Sequence, residues 1–400
     1  MTMSKSLSVI YKYVDSRRRR IIYISILNVV VLTFVGYLWN NQPLYTGEYI
    51  TELSHIQWLW EVIGGQTVDE ELDGALFINV SYDKQLAEHR DELGETIGTT
   101  DVTDRKKLLE VLKLAKATNS YKYLVLDVRF EEANYQENDD SLFEQIASMD
   151  RIVVANHKDI RTPRGFPLSK SALADYYSTI TATNFERYLY LDQGRTSLPL
   201  YAYKDLTGKE MSETALLTTC DGRLCQKSVF LKFPSVHFDK VMANGDQRYY
   251  ELGHEILSYL RDDFGEMSEG KVVVIGNFVE DVHDTYIGMK PGSYILYRAL
   301  RALEKGEHYV NWWHQLLFAC VYFIISCLLL MRHSLSDRIP VIRRSKSRLL
   351  HFCLTFFGCG MLITMLDIVL FFNGHIHSIL FPSTYFAIIK YVVTYKRLKI

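Results

Sequence analysis

The sequence predicts an extracytoplasmic α/β domain, mainly parallel sheet with a β-rich hairpin insertion, joined to four transmembrane α-helices. Three observations predict it. Long uncharged apolar runs lie near both ends of the chain. A net charge of −2 conceals a strong asymmetry along the chain. Strand-like and helix-like periodicities alternate through the middle.

The first apolar run, "IIYISILNVVVLTFVGYLW", fills a predicted helix over 21–40 and is long enough to cross a hydrocarbon core of roughly 30 Å. Residues 312–331 and 349–372 form two more such runs. A fourth, 376–394, contains Pro382 and Lys390, and that lysine lies near one end, where it could snorkel to the interface. Sixteen of the 45 Lys/Arg lie in residues 1–20, 332–349 and 390–400, which leaves 29 for the stretch 41–310. That stretch holds 44 of the 47 Asp/Glu, a net of about −15. The basic segment 1–20, the loop 332–348 and the tail 395–400 are therefore expected on the cytoplasmic side, with both termini. The acidic body 41–310 is expected outside. "RRRR" at 17–20 directly precedes the first run, and Trp39, Trp312 and Trp313 fall where indole rings favour the outer interface. A cleaved signal peptide is disfavoured, because the apolar region is too long and "YLWNNQP" lacks small residues for cleavage. Asp367 stands inside the third run; an intramembrane acid is costly and marks a polar candidate, with His375 or His377 as possible partners.

The body is read in order. "ALFINV" (75–80) is a short apolar strand. Residues 103–117 place Leu108, Leu109, Leu112 and Ala115 at helical spacing, with lysines on the other face. "YKYLVLDVRF" (121–130) is a strand, "NDDSLFEQIASM" a helix capped by Asp139 or Asp140, and "RIVVANH" (151–157) the next strand. This repetition implies crossover helices and parallel pairing. Residues 180–240 are turn-punctuated and read as hairpins. Within them, Cys220 and Cys225 flank "DGRL", whose Asp221-Gly222 is a turn signal. A disulfide between the two is an open possibility in an oxidising compartment, since spacing alone does not set Cβ geometry. An amphipathic helix at 248–262, a strand at 271–276 and a helix at 292–304 complete the body, and Pro291-Gly292 open the last helix.

The body resembles the type 2 CHASE domain, a bacterial extracytoplasmic sensory module of transmembrane receptors. The segments that carry the resemblance run through 75–308. They are "FINVSYDKQLAE", "YLVLDVRFEE", "DDSLFEQIASMDRIVVANH", "LDQGRTSLPLYAY" and "GKVVVIGNFVEDVHDTYIGMKPGSYILYRALRALEKGE". One span before the body and three after it agree with the family layout. The chain departs from the pattern at Ser81, where the family shows an acid after its first strand, and Asp83 is the nearest carboxylate. The resemblance implies a multi-pass protein of the bacterial inner membrane with a periplasmic sensory domain. It also implies a homo-oligomer and a separate signalling or envelope protein as partner, since no output domain is expected after Ile400. The alternative is a scaffold subunit of an envelope complex. No nucleic-acid partner is expected.

No catalytic signature is found, and no enzymatic activity is expected. His89-Arg90-Asp91 and Asp263-Phe264-Gly265 have the letters of kinase motifs but the wrong spacing, and position 96 is not Asn. "HEILS" (254–258) lacks the second histidine of a zinc protease. What remains are acids at strand ends: Asp83, Asp127, Glu131, Glu132, Asp281 and Asp284. Parallel strands place their carboxyl ends on one edge, where α/β folds bind ligands. Asp127, Asp284 and Thr285, with Asp83 and Glu131, are the candidate ligand-binding residues. No cofactor is predicted, and a divalent cation such as calcium or magnesium is a possible occupant. Caps and pinned turns are the competing role for each carboxylate.

Overall fold

Strand and helix periods in the body resolve into a layered α/β unit. The structure, a computed structural model, describes residues 3–41, 72–91, 93–175, 187–192, 194–233, 248–331, 347–370 and 379–395. The chain divides into the unit Tyr45–His308 and a second unit made of Met1–Leu44 and Tyr309–Ile400. The basic tail after Tyr395, most of the basic loop 332–348, His375 and His377 lie outside the described residues.

The second unit begins with helix α1, Met3–Asn40. The α/β unit then opens with β1 (Ala75–Asn79), β2 (Lys84–Arg90), β3 (Thr96–Thr103), α2 (Arg105–Thr118) and β4 (Tyr123–Asp127). Next come α3 (Glu137–Ala147), β5 (Ile152–Asn156) and β6 (Ser171–Leu173). A run of short elements follows: β7 (Arg187–Leu189), β8 (Leu191–Asp192), β9 (Arg195–Thr196), α4 (Leu198–Thr207), β10 (Met211–Glu213), β11 (Thr218–Cys220), β12 (Arg223–Cys225) and β13 (Ser228–Phe230). The unit ends with β14 (Tyr249–Glu251), α5 (Phe264–Ser268), β15 (Val272–Gly276), β16 (Val282–Thr285), β17 (Gly288–Pro291) and α6 (Gly292–Glu304).

Six strands form one sheet in the order β14-β1-β15-β4-β5-β6, and every neighbouring pair is parallel. Its central strands are buried on both faces, which is why they read as unbroken apolar runs and not as alternation. Leu76, Ile78, Leu124, Leu126, Val273 and Ile275 pack with Leu108 and Leu112 of α2 and Leu142 and Ile146 of α3. Phe77 points the other way and meets Tyr294 and Tyr297 of α6 edge-on, at 6.1 and 5.3 Å between centroids. Helices therefore cover both faces.

Local signals explain most boundaries. Asp104 caps α2 by accepting from the backbone N–H of Lys106 and Lys107, and Asn119 ends it in the left-handed region at φ 48°. Asp139 does not cap α3 as expected. Gln136 holds that place, and Asp139, three residues on, accepts from the Gln136 N–H at 2.9 Å. The amphipathic pattern at 248–262 does not become an α-helix either. Tyr249–Glu251 pair in parallel with Phe77–Asn79 of β1, and a π-helical turn, Leu252–Ile256, follows. Pairing at the sheet edge outweighs local helical preference there.

The residues between β7 and β13 form small antiparallel pairings: β7 with β13, β8 with β9, and β11 with both β10 and β12. Asp221 and Gly222 join β11 to β12 with φ of 51° and 73°, a two-residue turn that needs left-handed backbone at both positions. Cys220 pairs across with Arg223 and Thr218 with Cys225, so the two cysteines stand diagonally on the ladder. Both side chains are buried thiols, and burial together with Cys220 pushes the Cys225 thiol up to about 12.

In the second unit, α1, α7 (Trp312–Leu330) and α8 (Arg348–Leu370) contain stretches long and apolar enough to cross a membrane: Ser16–Trp39, Trp312–Leu330 and Arg348–Asp367. The fourth expected span is a shorter apolar helix, α9 (Leu380–Tyr395), of 16 residues. Part of the predicted run, 376–378, lies outside the described residues. Polar side chains tie the helices together. Asn28 of α1 donates to Ser326 of α7 at 2.7 Å and accepts from the Tyr385 hydroxyl of α9 at 2.8 Å. Lys390 does not snorkel: it is 6% exposed. Asp367 is wholly buried among the helices.

Candidate functional site

The carboxyl ends of β15, β4, β5 and β6 lie side by side, and a cavity of about 220 Å³ opens on that edge. Asp127, the last residue of β4, stands on its wall. His157 follows β5, Asp175 follows β6, and Asp281 and His283 come from the segment after β15. The start of α6 closes the cavity with Gly292, Ile295 and Leu296. A larger space of about 810 Å³ adjoins it, shares Asp127, His157 and Asp281, and is walled by the β2–β3 hairpin, Arg129 and Glu131.

Two glycines make the edge possible. Gly276 ends β15 beside Asp127 in register. A Cβ there would lie 2.0 Å from Ser293 Oγ and 3.2 Å from the Asp127 carbonyl oxygen. Without it, Ser293 crosses the strand end and donates to Asp127 Oδ2 at 2.7 Å. A Cβ on Gly292 would meet Asp281 Oδ2 at 2.3 Å, and the Gly292 N–H donates to the Asp281 carbonyl at 2.8 Å. Gly276→Val is expected to cost about 1–3 kcal/mol through overpacking, read from urea unfolding of the full chain in lipid nanodiscs. An unchanged midpoint would mean that Ser293 has room to withdraw.

The side chains are arranged as two imidazole–carboxylate pairs around Asp127. His157 Nδ1 lies 2.7 Å from Asp175 Oδ1, and the Lys158 N–H donates to Asp175 Oδ2 at 2.7 Å. His283 Nε2 lies 3.1 Å from Asp281 Oδ1. The carboxylates differ in proton affinity. Burial, then the charge of Asp281, push the Asp127 carboxyl up to about 6, against the Ser293 hydrogen bond and the two histidines. Burial also raises Asp175, but the His157 hydrogen bond, the Lys158 N–H and both their charges outweigh it and bring that carboxyl below its usual range. One carboxylate is thus kept ionised and another is poised to hold a proton. Ser293 Oγ donates to a carboxylate and not to either imidazole, so the serine–base pair of a hydrolase is not formed.

Of the candidate ligand-binding residues, only Asp127 lines this cavity, joined there by Asp281 from the wider group of strand-end acids. Asp284 is exposed on β16, because strand alternation turns His283 and not its neighbour toward the cavity. Thr285 is buried in the β16–β17 turn, where it donates to the Gly288 carbonyl at 2.6 Å. Asp83 is buried in an ion pair with Lys107 at 2.6 Å and accepts from the Gly253 N–H at 3.0 Å. Ser81 Oγ lies 2.5 Å from Asn79 Oδ1 and 2.6 Å from Asn277 Oδ1, donates its one proton between them, and ties β1 to the exit of β15. Glu131 pairs with Arg129 and accepts from Asn134 at 3.1 Å, on the wall of the larger space. Glu132 begins a short 3₁₀ turn. Sequence reasoning passed over His157, Asp175 and Ser293. The polar residues that end "RIVVANH" were the one available signal. Among the described residues, no three His, Cys, Asp or Glu side chains are grouped to hold a metal ion.

No family model matches the chain, and neither the curated proteins nor the solved structures compared with it provide a match.

Proposed function

We propose that this protein is a membrane-anchored sensor. Its α/β unit lies outside the cytoplasm of a bacterial inner membrane, binds a small ligand at the carboxyl edge of the sheet, and relays binding through its membrane helices to a separate signalling or envelope protein. The observation that carries this reading is the cavity itself. It is built at the edge where parallel sheets bind ligands, and its walls hold carboxylates of unlike proton affinity, Asp175 lowered and Asp127 raised. The acidic body between basic termini supports the placement, as does the resemblance to the type 2 CHASE domain. Homo-oligomerisation belongs to the same proposal.

The scaffold reading has one observation in its favour. The β2–β3 hairpin exposes Leu86, Leu93 and Ile97, at 72%, 87% and 62%, which suits constitutive docking to an envelope partner.

One experiment separates the two. Site-specific cross-linking from the β2–β3 hairpin in intact membranes is expected to give a partner band whose intensity changes when Asp127 is replaced by Asn. An unchanged band supports the scaffold and overturns the sensor. Tag fusions near residue 200 that report the same side as the N-terminus would overturn the extracytoplasmic placement.

A further inference from the structure

Three carboxylates and two imidazoles face the 220 Å³ cavity, and among the described residues no lysine or arginine lines it. Each imidazole is already held by a carboxylate, His157 by Asp175 and His283 by Asp281. Apolar side chains also line it: Ile295 and Leu296, 1% and 4% exposed, and Ala174. The volume equals about seven waters, counting roughly 30 Å³ for each. The site thus offers three carboxylates, apolar side chains, and room for a molecule of few heavy atoms.

We propose that the ligand is a small organic cation, a primary aliphatic amine. Its ammonium sits between Asp127 and Asp281, and its alkyl stem lies on Ile295 and Leu296. This inference rests on the ligand-sensing reading and names the chemical class that reading leaves open. An ammonium has three N–H donors and takes acceptors spread around it, so it does not need donors that converge as a metal ion does. No convergent group of metal donors is present among the described residues, and a hydrated divalent ion has no use for the apolar side chains. An anionic ligand would meet three carboxylates, with no lysine or arginine among the described lining residues to offset them. The ammonium relieves the repulsion between Asp127 and Asp281 and favours the ionised form of Asp127, so amine binding and protonation of Asp127 compete. The other groups that face Asp127 are Ser293 from α6, His157 after β5 and His283 on β16.

The test is isothermal titration calorimetry on the full chain in nanodiscs. The probes are n-butylammonium, the neutral isostere butan-1-ol, butyrate, Zn²⁺ and Ca²⁺. The expected result is binding of n-butylammonium alone. Its affinity should fall about tenfold between pH 7.5 and 5.0, as Asp127 takes up its proton. Asp127→Asn should weaken it at least tenfold at pH 7.5 and flatten the pH profile. The wild-type profile needs no variant, so a folding defect cannot imitate it. Binding of butan-1-ol or butyrate would overturn the amine while leaving a ligand sensor in place. Binding of Zn²⁺ or Ca²⁺ that displaces the amine would assign the site to a metal. Heat from no probe would overturn the amine, and the cross-linking result then decides the sensor reading separately.

Discussion

Asp139→Ala is expected to destabilise the α/β unit by about 3–5 kcal/mol, measured by urea unfolding of the full chain in nanodiscs. Asp139 and Arg105 are each 1% exposed, with Arg105 Nε 3.1 Å from Asp139 Oδ1. The guanidinium also lies 4.3 Å from the Phe130 ring centroid and donates to the Arg129 carbonyl at 3.2 Å. Removing the carboxylate strands a cation at the junction of α2 and α3 and deletes the acceptor for the Gln136 N–H. Burial lowers the proton affinity of Arg105 and raises that of Asp139, in each case against the pull of its partner. Desolvation therefore outweighs the mutual attraction, as is usual for buried pairs. It follows that the double variant Arg105→Met with Asp139→Leu should recover most of the loss. A single variant within about 1 kcal/mol of wild type would show that water reaches Arg105 through the larger cavity, on whose wall it lies.

Asp127→Asn should do the opposite and stabilise the unit at pH 7.5 by up to about 3 kcal/mol. The folded Asp127 carboxyl titrates at about 6, against an ordinary value of 3.8. Below about pH 4 both folded and unfolded chains hold the proton, and the group costs nothing. Between about pH 4 and 6 the unfolded chain releases its proton while the folded chain retains it, so stability falls as pH rises. Above about pH 6 the ionised group imposes its full cost, set by burial and by Asp281. Asparagine keeps the acceptor for Ser293 and carries no charge, so the gain appears at pH 7.5 and vanishes at pH 4. An equal effect at both pH values would show that shape and not charge governs the position. A residue that destabilises its own fold in the ionised form is the pattern expected of a functional group. The same variant is predicted to be more stable and to bind the amine less well, which separates a lost ligand from a lost fold.

Much of the fold was legible because it rests on local pattern. The runs at β1, β4, β5 and β15 are short and apolar, and α2, α3 and α6 show helical spacing with their own caps or Pro-Gly openings. The reading failed at 248–262, where parallel pairing with β1 overrode an amphipathic pattern. The site was half legible. Asp127 and Asp281 were found because they follow strands, but Asp284 and Thr285 were favoured over Asp281 and His283. Only the pairing of β16 with β17 shows which side chains of that segment face inward.

By itself, the sequence determined the three apolar helices, the acidic body between basic ends, and the strand–helix alternation that demands a parallel sheet. Each follows from composition or from a period of a few residues, and none of the three depends on distant parts of the chain. Tertiary structure alone decided that residues 127, 157, 175, 281 and 293 share one edge. That gathering depends on the strand order β15-β4-β5-β6, and on the missing Cβ of Gly276 that lets Ser293 cross to Asp127. Burial and the nearness of Asp281, which raise the proton affinity of Asp127, exist only after the chain has closed.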